Sequence, residues 1–128
     1  MSVNTILSLV SLDADGYVRV ASRGNLTADD MRPAAKNPLE SVLGANWSAS
    51  RVLLDLSKTE YMDSSAIGWL IASARKFRSG GGALAVHSLR PRTRQMLDLL
   101  KIGRIVPTLP DEASARKFLS DPSPAMAA

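Results

Sequence analysis

Arg51-Val-Leu-Leu-Asp-Leu-Ser-Lys-Thr-Glu-Tyr-Met-Asp-Ser-Ser-Ala-Ile-Gly-Trp-Leu70 is the stretch of this chain that decides its fold. Its nearly continuous apolar run from Val52 to Leu56 is typical of a strand that is covered on both faces. Asp63 is a common residue at the start of a helix, and apolar residues follow it at helical spacing. The stretch therefore predicts a central strand, a loop, and a helix whose exposed N-terminus carries Asp63, Ser64 and Ser65.

The predicted helix extends from Asp63 to about Arg78, where Gly80-Gly-Gly82 ends it. Its expected buried face consists of residues at helical spacing: Ile67, Leu70, Ile71, Ala74 and Phe77. A further strand over Ala83–Val86 would pair in parallel with the central strand, because a strand, a helix and a strand form a right-handed βαβ unit.

Shorter patterns flank this unit on its N-terminal side. Ile6–Leu12 and Tyr17–Ser22 predict two strands of a hairpin, with Asp13-Ala-Asp-Gly16 as the turn. Thr27 and Asp30 resemble a capping box. Pro33 and Pro38 interrupt the helical region that follows, so its helices are expected to be short. Gly44–Ser48 should then form a loop.

On the C-terminal side, Pro91 suits the first turn of a helix. Ile102–Thr108 contains a possible strand, which Pro107 would leave at a sheet edge. Asp111 can cap a last helix, and residues 121–128 are expected to form a disordered tail. The helix that begins at Pro91 should direct Met96, Leu97, Leu99 and Leu100 inward. The last helix should direct Ala115, Phe118 and Leu119 inward.

Composition indicates a single domain over residues 1–120. The 128 residues are 45% hydrophobic and 22% charged, which is normal for a globular protein. No apolar run is long enough to cross a membrane, and Met1–Val10 has no basic segment typical of a secretion signal. The chain has no cysteine, which excludes disulfides. Together these features favour a cytoplasmic protein that is not inserted into a membrane.

The formal net charge is +4, and the basic residues occur in groups. Aromatic residues make up only 5% of the chain and do not interleave with the arginines, so direct nucleic-acid binding is not expected. Solvated surfaces or an acidic protein partner explain the charge better. The groups are Arg75, Lys76 and Arg78; Arg90, Arg92 and Arg94; and Arg116 and Lys117.

Few residues suit catalysis. An enzyme could use Ser64 or Ser65 as its nucleophile, but His87 is the single histidine, and it falls on a predicted strand. No Gly-x-Ser-x-Gly motif and no phosphate-binding loop occur. One histidine and dispersed carboxylates do not form a metal site. We therefore expect neither an enzyme nor a cofactor.

Two segments resemble the signature of STAS domains, named for sulfate transporters and anti-sigma factor antagonists. The segments are Leu53-Leu-Asp-Leu-Ser57 and Met62-Asp-Ser-Ser-Ala-Ile-Gly68. Ala66 and Ile67 stand where the family usually has Gly and Leu. The order of predicted elements is similar to that of the family over about residues 5–120. The resemblance implies an α/β fold, a mixed β-sheet of four to five strands packed with about four helices.

In the bacterial anti-sigma factor antagonists of this family, the first serine after the aspartate is phosphorylated, and the resemblance maps it onto Ser64. The unphosphorylated form would bind an anti-sigma factor that is also a serine kinase, and so free a sigma factor. A serine phosphatase would reset the switch. A non-catalytic scaffold or an accessory subunit of a larger signalling or transport assembly is the alternative.

Five further residues are candidates for partner binding or loop support. Asp63 could cap the helix, or orient the loop and contact the kinase, and Ser65 is expected to support the loop or the helix start. Asp55 could lie near the same surface or bond to backbone amides at its strand end. Gly68 could allow close approach of a partner or of the domain's own strand. Trp69 could be an interface anchor or pack under the loop Gly44–Ser48.

Overall fold

A computed structural model describes residues 6–13, 16–27 and 38–120 of the chain. The predictions for Asp30, for Pro33 and for the tail 121–128 lie outside the described residues. Within these ranges none of the helices has the length and apolar character that a membrane span requires.

Five strands form one mixed sheet, as the sequence predicts. They lie side by side in chain order: β1 (Leu7–Leu12), β2 (Tyr17–Ser22), β3 (Arg51–Asp55), β4 (Ala83–His87) and β5 (Thr108–Leu109). The first pair is antiparallel, and Gly16 adopts a φ of +90° in the turn between its strands. The other three pairings are parallel, which confirms the βαβ unit around the central strand.

Four α-helices cover this sheet within the described residues. They are α1 (Pro38–Leu43), α2 (Ser64–Gly80), α3 (Pro91–Leu99) and α4 (Glu112–Ser120). Two short 3₁₀ turns, Trp47–Ala49 and Ile102–Arg104, connect them to the strands. The short edge strand predicted within Ile102–Thr108 is present as β5, but it begins only at Thr108, because the preceding residues form a 3₁₀ turn.

The central strand β3 is buried on both faces. Val52 and Leu54 belong to the larger core, and Leu53 belongs to a smaller core on the opposite face of the sheet. All three are 0% exposed, as the continuous apolar run predicts. Helix α2 packs into the larger core, while Ala115 of α4 packs into the smaller one.

Helix α4 is fastened to the sheet by charged and aromatic contacts. The Arg116 Nη2 atom lies 2.6 Å from Oδ2 of Asp13 and 2.9 Å from Oε2 of Glu112. Glu112 also accepts a hydrogen bond from Nε of Arg19 at 2.9 Å. The guanidinium groups of Arg51 and Arg116 lie 4.1 and 5.1 Å from the centre of the Tyr17 ring. The contacts of Arg116 and Glu112 join the hairpin to the last helix, while Arg51 links β3 to β2.

The prediction that Leu99 and Leu100 face inward is wrong. Leu97 is buried, but Leu99 is 77% exposed and Leu100 is 55% exposed. Residues two apart in an α-helix are separated by about 200°, so Leu97 and Leu99 lie on opposite sides of α3. Leu100 follows the last helical residue, and Lys101 turns the chain with a φ of +56°. Ile102 and Val106, which follow this turn, are the next buried apolar residues.

Candidate functional site

Asp63 caps helix α2, whose first two residues present their hydroxyl groups to solvent. Its extended backbone and its side chain form an N-cap, with Oδ1 accepting a hydrogen bond from the backbone N of Ala66 at 3.0 Å. Ser64 and Ser65 are the first two helical residues, and both are exposed. The predicted arrangement of capping carboxylate and exposed serines is therefore present.

Thr59 anchors the loop that connects β3 to this helix. It is fully buried, and its hydroxyl donates to the carbonyl of Gly24 at 2.9 Å. Because that bond uses the hydroxyl hydrogen of Thr59, Ser22 is the donor in the bond between the Ser22 and Thr59 hydroxyls. The Thr59 carbonyl accepts a hydrogen bond from the hydroxyl of Thr93 in α3 at 2.9 Å. One residue thus joins the loop to β2 and to α3.

The segment after β2 supports the second half of the loop. The Asn25 side-chain oxygen accepts hydrogen bonds from the backbone N of Glu60 at 2.8 Å and of Tyr61 at 3.0 Å. Leu26 forms an isolated parallel bridge with Met62. Its carbonyl accepts from the backbone N of Asp63 at 3.2 Å. The end of the loop that leads to Ser64 is therefore held in place by the hydrogen bonds of Asn25 and Leu26.

Asp55 lies at the end of β3 and bonds to the backbone. Its Oδ1 accepts a hydrogen bond from the backbone N of Ser57 at 2.8 Å, which is the structural alternative expected for this residue. In the sheet Asp55 is paired with His87 of β4. His87 is buried, and its Nδ1 shares a hydrogen bond of 2.8 Å with the hydroxyl of Ser88. Burial lowers the pKa of His87 below its ordinary 6.5, although the nearby Asp55 carboxylate opposes this shift.

Gly68 lies on the exposed face of α2, one turn after Ser64. A Cβ atom added at this position would meet nothing within 4 Å. The alternative that Gly68 allows close packing against the domain's own strand is therefore wrong. A helix-interior glycine costs about 1 kcal/mol relative to alanine, and no contact inside the described fold requires it.

Trp69 does not lie outside the core, contrary to the interpretation as an exposed anchor. It is 8% exposed and belongs to the larger core, together with Ala66 and Leu70. The buried stripe of α2 is wider than predicted because this long helix lies on the sheet with several residues per turn facing inward.

Several residues of the site were not singled out by the sequence patterns. Tyr61 is 47% exposed on the loop, three residues before Ser64. Asn25 follows a glycine, a combination that indicates a turn, but its bonds to a loop 35 residues away leave no local signal. Thr93 appears in the sequence only as an ordinary helical residue.

Comparison with known proteins shows what this chain is similar to. The family model described as "STAS domain" matches residues 12–115. An anti-sigma F factor antagonist of Paenibacillus polymyxa is 28% identical over 64 residues. That alignment spans 50% of this chain and 55% of the relative, so the chain matches little more than half the length of that relative.

Solved structures share the fold at low identity. The crystal structure of a Thermotoga maritima protein described as an anti-sigma factor antagonist is 20% identical, with a TM-score of 0.71, over 84% of this chain and 91% of that chain. The inward-facing structure of the murine anion transporter Solute Carrier 26 family member A9 is 13% identical, with a TM-score of 0.65. That match covers 82% of this chain and 18% of the transporter.

Proposed function

Because this chain belongs to the family of STAS domains, we propose that it is an anti-sigma factor antagonist that phosphorylation of Ser64 switches off. In its unphosphorylated form it binds an anti-sigma factor that is also a serine kinase, and a sigma factor is released. A serine phosphatase restores the binding form. The observation that carries the proposal is an exposed serine at the first position of a long helix, after a loop that the hydrogen bonds of the buried Thr59 hold in place.

The fold should tolerate a phosphate on Ser64. The first backbone N–H groups of a helix have no partner within the helix, and the helix dipole places about half a positive charge there. A phosphoserine adds about −1.5 to −2 charge, which this end of the helix attracts by about 0.3–1 kcal/mol. Ser64 is exposed, so the phosphate displaces no buried group.

The phosphate should weaken the binding of a partner, although the fold tolerates it. The exposed face around Ser64 continues with Ser65, Gly68 and Ala72, which are all small residues. A partner backbone can therefore approach α2 closely and would bury the Ser64 hydroxyl. A phosphate dianion buried there loses its hydration, and each 1.4 kcal/mol of penalty weakens binding about tenfold. No change of fold is needed for the switch.

Phosphosite mapping tests this proposal. The purified protein is incubated with ATP and its cognate serine kinase, and the product is analysed by tandem mass spectrometry. We expect one phosphate, on Ser64. The Ser64→Ala variant should remain unmodified, and the matched Ser65→Ala variant should still be phosphorylated.

The complex provides the second measurement. Ser64→Asp should weaken kinase binding about tenfold or more and leave the melting temperature almost unchanged. Phosphate on Ser65 alone, or a complex of equal affinity with the Ser64→Asp variant, would contradict the proposal.

One observation favours the alternative, a scaffold or accessory subunit of a larger assembly. The same fold occurs as a small part of an anion transporter. Sedimentation of the tagged protein from a lysate separates the two functions. A large, stable assembly that persists with Ser64→Asp favours the scaffold, because a phospho-switch predicts that this change releases the partner.

A further inference from the structure

The excess of positive charge in this protein comes from one short segment. Residues 90–104 contain five basic side chains and one acidic one, a net charge of +4 that equals the formal net charge of the whole chain. The remainder of the chain is therefore balanced. The charged residues of this basic segment are Arg90, Arg92, Arg94, Asp98, Lys101 and Arg104.

The same segment exposes the two leucines that were expected in the core. Leu99 and Leu100 lie at the end of α3, directly before Lys101, and Arg92 and Arg104 of the same segment are also exposed. Next to them is an open groove of about 420 Å³ along the outer side of α3. Its lining combines apolar and charged side chains: Pro91, Arg94, Gln95, Asp98 and Leu99.

We infer that this α3 surface binds an acidic amphipathic helix of a protein partner. Leucines of such a helix would contact the groove and the exposed Leu99 and Leu100, since apolar side chains at helical spacing are suited to a groove. Its carboxylates would face Arg92, Lys101 and Arg104, which gives both selectivity and a faster association rate. The proposal does not depend on phosphorylation of Ser64, which lies on a different helix.

Charge and shape distinguish this partner from two others. Glu60 pairs with Arg90 at 3.3 Å and Asp98 lies 3.8 Å from Arg94, but the surface remains net positive. A symmetric contact with a second copy would therefore place two positive surfaces against each other, which is repulsive. An anionic membrane would also attract the arginines. However, the Asp98 carboxylate lines the open groove, and a continuous layer of phosphate groups would have to lie against it, whereas a helix can place a leucine there.

The test uses the whole protein and a synthetic peptide. The probe is a helical peptide with leucines at positions i, i+3 and i+7 and glutamates elsewhere. A peptide with lysine in place of each glutamate is the control. Amide shifts of the ¹⁵N-labelled protein should change on titration with the acidic probe, chiefly within residues 90–104, and reach saturation. The lysine peptide should cause no such change.

Two pairs of variants locate the surface. Arg92→Glu with Arg104→Glu should weaken binding of the acidic probe about tenfold or more. The charge-matched pair Arg75→Glu and Lys76→Glu, on the exposed face of α2, should change it little. Leu99→Gln with Leu100→Gln should also weaken binding, whereas Leu12→Gln on β1, where Leu12 is 72% exposed, should not.

Four results would overturn the inference. They are the absence of saturable shifts, shifts centred outside residues 90–104, equal binding of the lysine peptide, and equal effects of the two charge-reversal pairs. Sedimentation velocity and flotation with phosphatidylglycerol vesicles test the other occupants. A dimer that Leu99→Gln with Leu100→Gln disrupts would assign the surface to a second copy. Vesicle binding without peptide binding would assign it to a membrane.

Discussion

Gly68 is the residue at which the needs of the fold and of the proposed partner separate most clearly. A Cβ atom at this position would meet no neighbouring atom within 4 Å in the described structure, so the fold has no steric need for glycine there. A partner backbone packed against α2 would need it, because a methyl group would hold the two surfaces apart. A single substitution can therefore distinguish folding from binding.

We expect Gly68→Ala to raise the free energy of unfolding by about 1 kcal/mol, because alanine is the better helix former. The same change should weaken the proposed complex with a serine kinase about tenfold. Thermal denaturation and titration calorimetry measure the two effects. Ala113→Gly, at an exposed position of α4 and so outside the face of small residues on α2, is the matched control. It should lower stability by a similar amount and leave binding intact. Unchanged kinase affinity of Gly68→Ala would exclude close docking at this point.

At the scale of elements, α3 supports the loop that precedes α2. The Thr93 hydroxyl donates to the carbonyl of Thr59, and both side chains are fully buried. The side chain of Arg90 reaches the same loop at the Ser57 carbonyl, 3.3 Å away, but it is exposed and therefore contributes little. The buried bond should dominate the coupling between the two elements.

Thr93→Val keeps the shape of the side chain and removes its donor. We expect a loss of about 1–3 kcal/mol, because the Thr59 carbonyl becomes a buried acceptor without that donor. In this variant the hydrogen-exchange rate should increase more for the backbone amides of residues 57–61 than for those of β3. Thr108→Val in the edge strand is the control, and exchange in the loop should not change. Equal exchange in both variants would show that α3 does not hold the loop.

The pH response belongs to the whole molecule, because it arises from groups on separate elements. His87 is buried, and its pKa in the folded protein lies below the ordinary 6.5. The unfolded chain therefore binds a proton in a pH range where the folded protein does not. The free energy of unfolding should fall as the pH drops below 6.5 and stop falling below the folded pKa of His87.

Protonation of two carboxylates should lower the free energy of unfolding at a more acidic pH. A hydrogen bond from Ser11 and the contact with Arg116 lower the pKa of Asp13 below 3.8. Burial would raise the pKa of Glu112, but its bonds from Arg116 and Arg19 lower it below 4.5. The stability that these groups contribute is complete above their ordinary pKa values and is lost as the pH falls through the folded values. Two separate losses of stability are therefore expected on acidification.

His87→Gln should remove the first loss and leave the second. Urea denaturation at a series of pH values provides the measurement. Between pH 6.5 and the second transition the variant should show a nearly flat free energy of unfolding. The same slope in both proteins would mean that His87 is not the titrating group.

The sequence predicted what local patterns can encode. The apolar run of β3, the cap at Asp63 and the helix stop at Gly81 each depend on neighbouring residues, and all three are confirmed. The burial of Trp69 and the supporting bond from Thr93 depend on elements that meet only in the folded chain. Neither leaves a periodic signal, so neither could be predicted from the sequence.

The bonds of the loop before Ser64 also bear on how this site can be transferred between proteins. Its support comes from Asn25 and Thr93, which lie more than 30 residues away on either side. A chimera that receives only residues 56–68 would gain the serines without the groups that fix the loop. The transferable unit is therefore three separate segments, and relatives are suitable recipients only if they already contain an acceptor like Asn25 and a donor like Thr93.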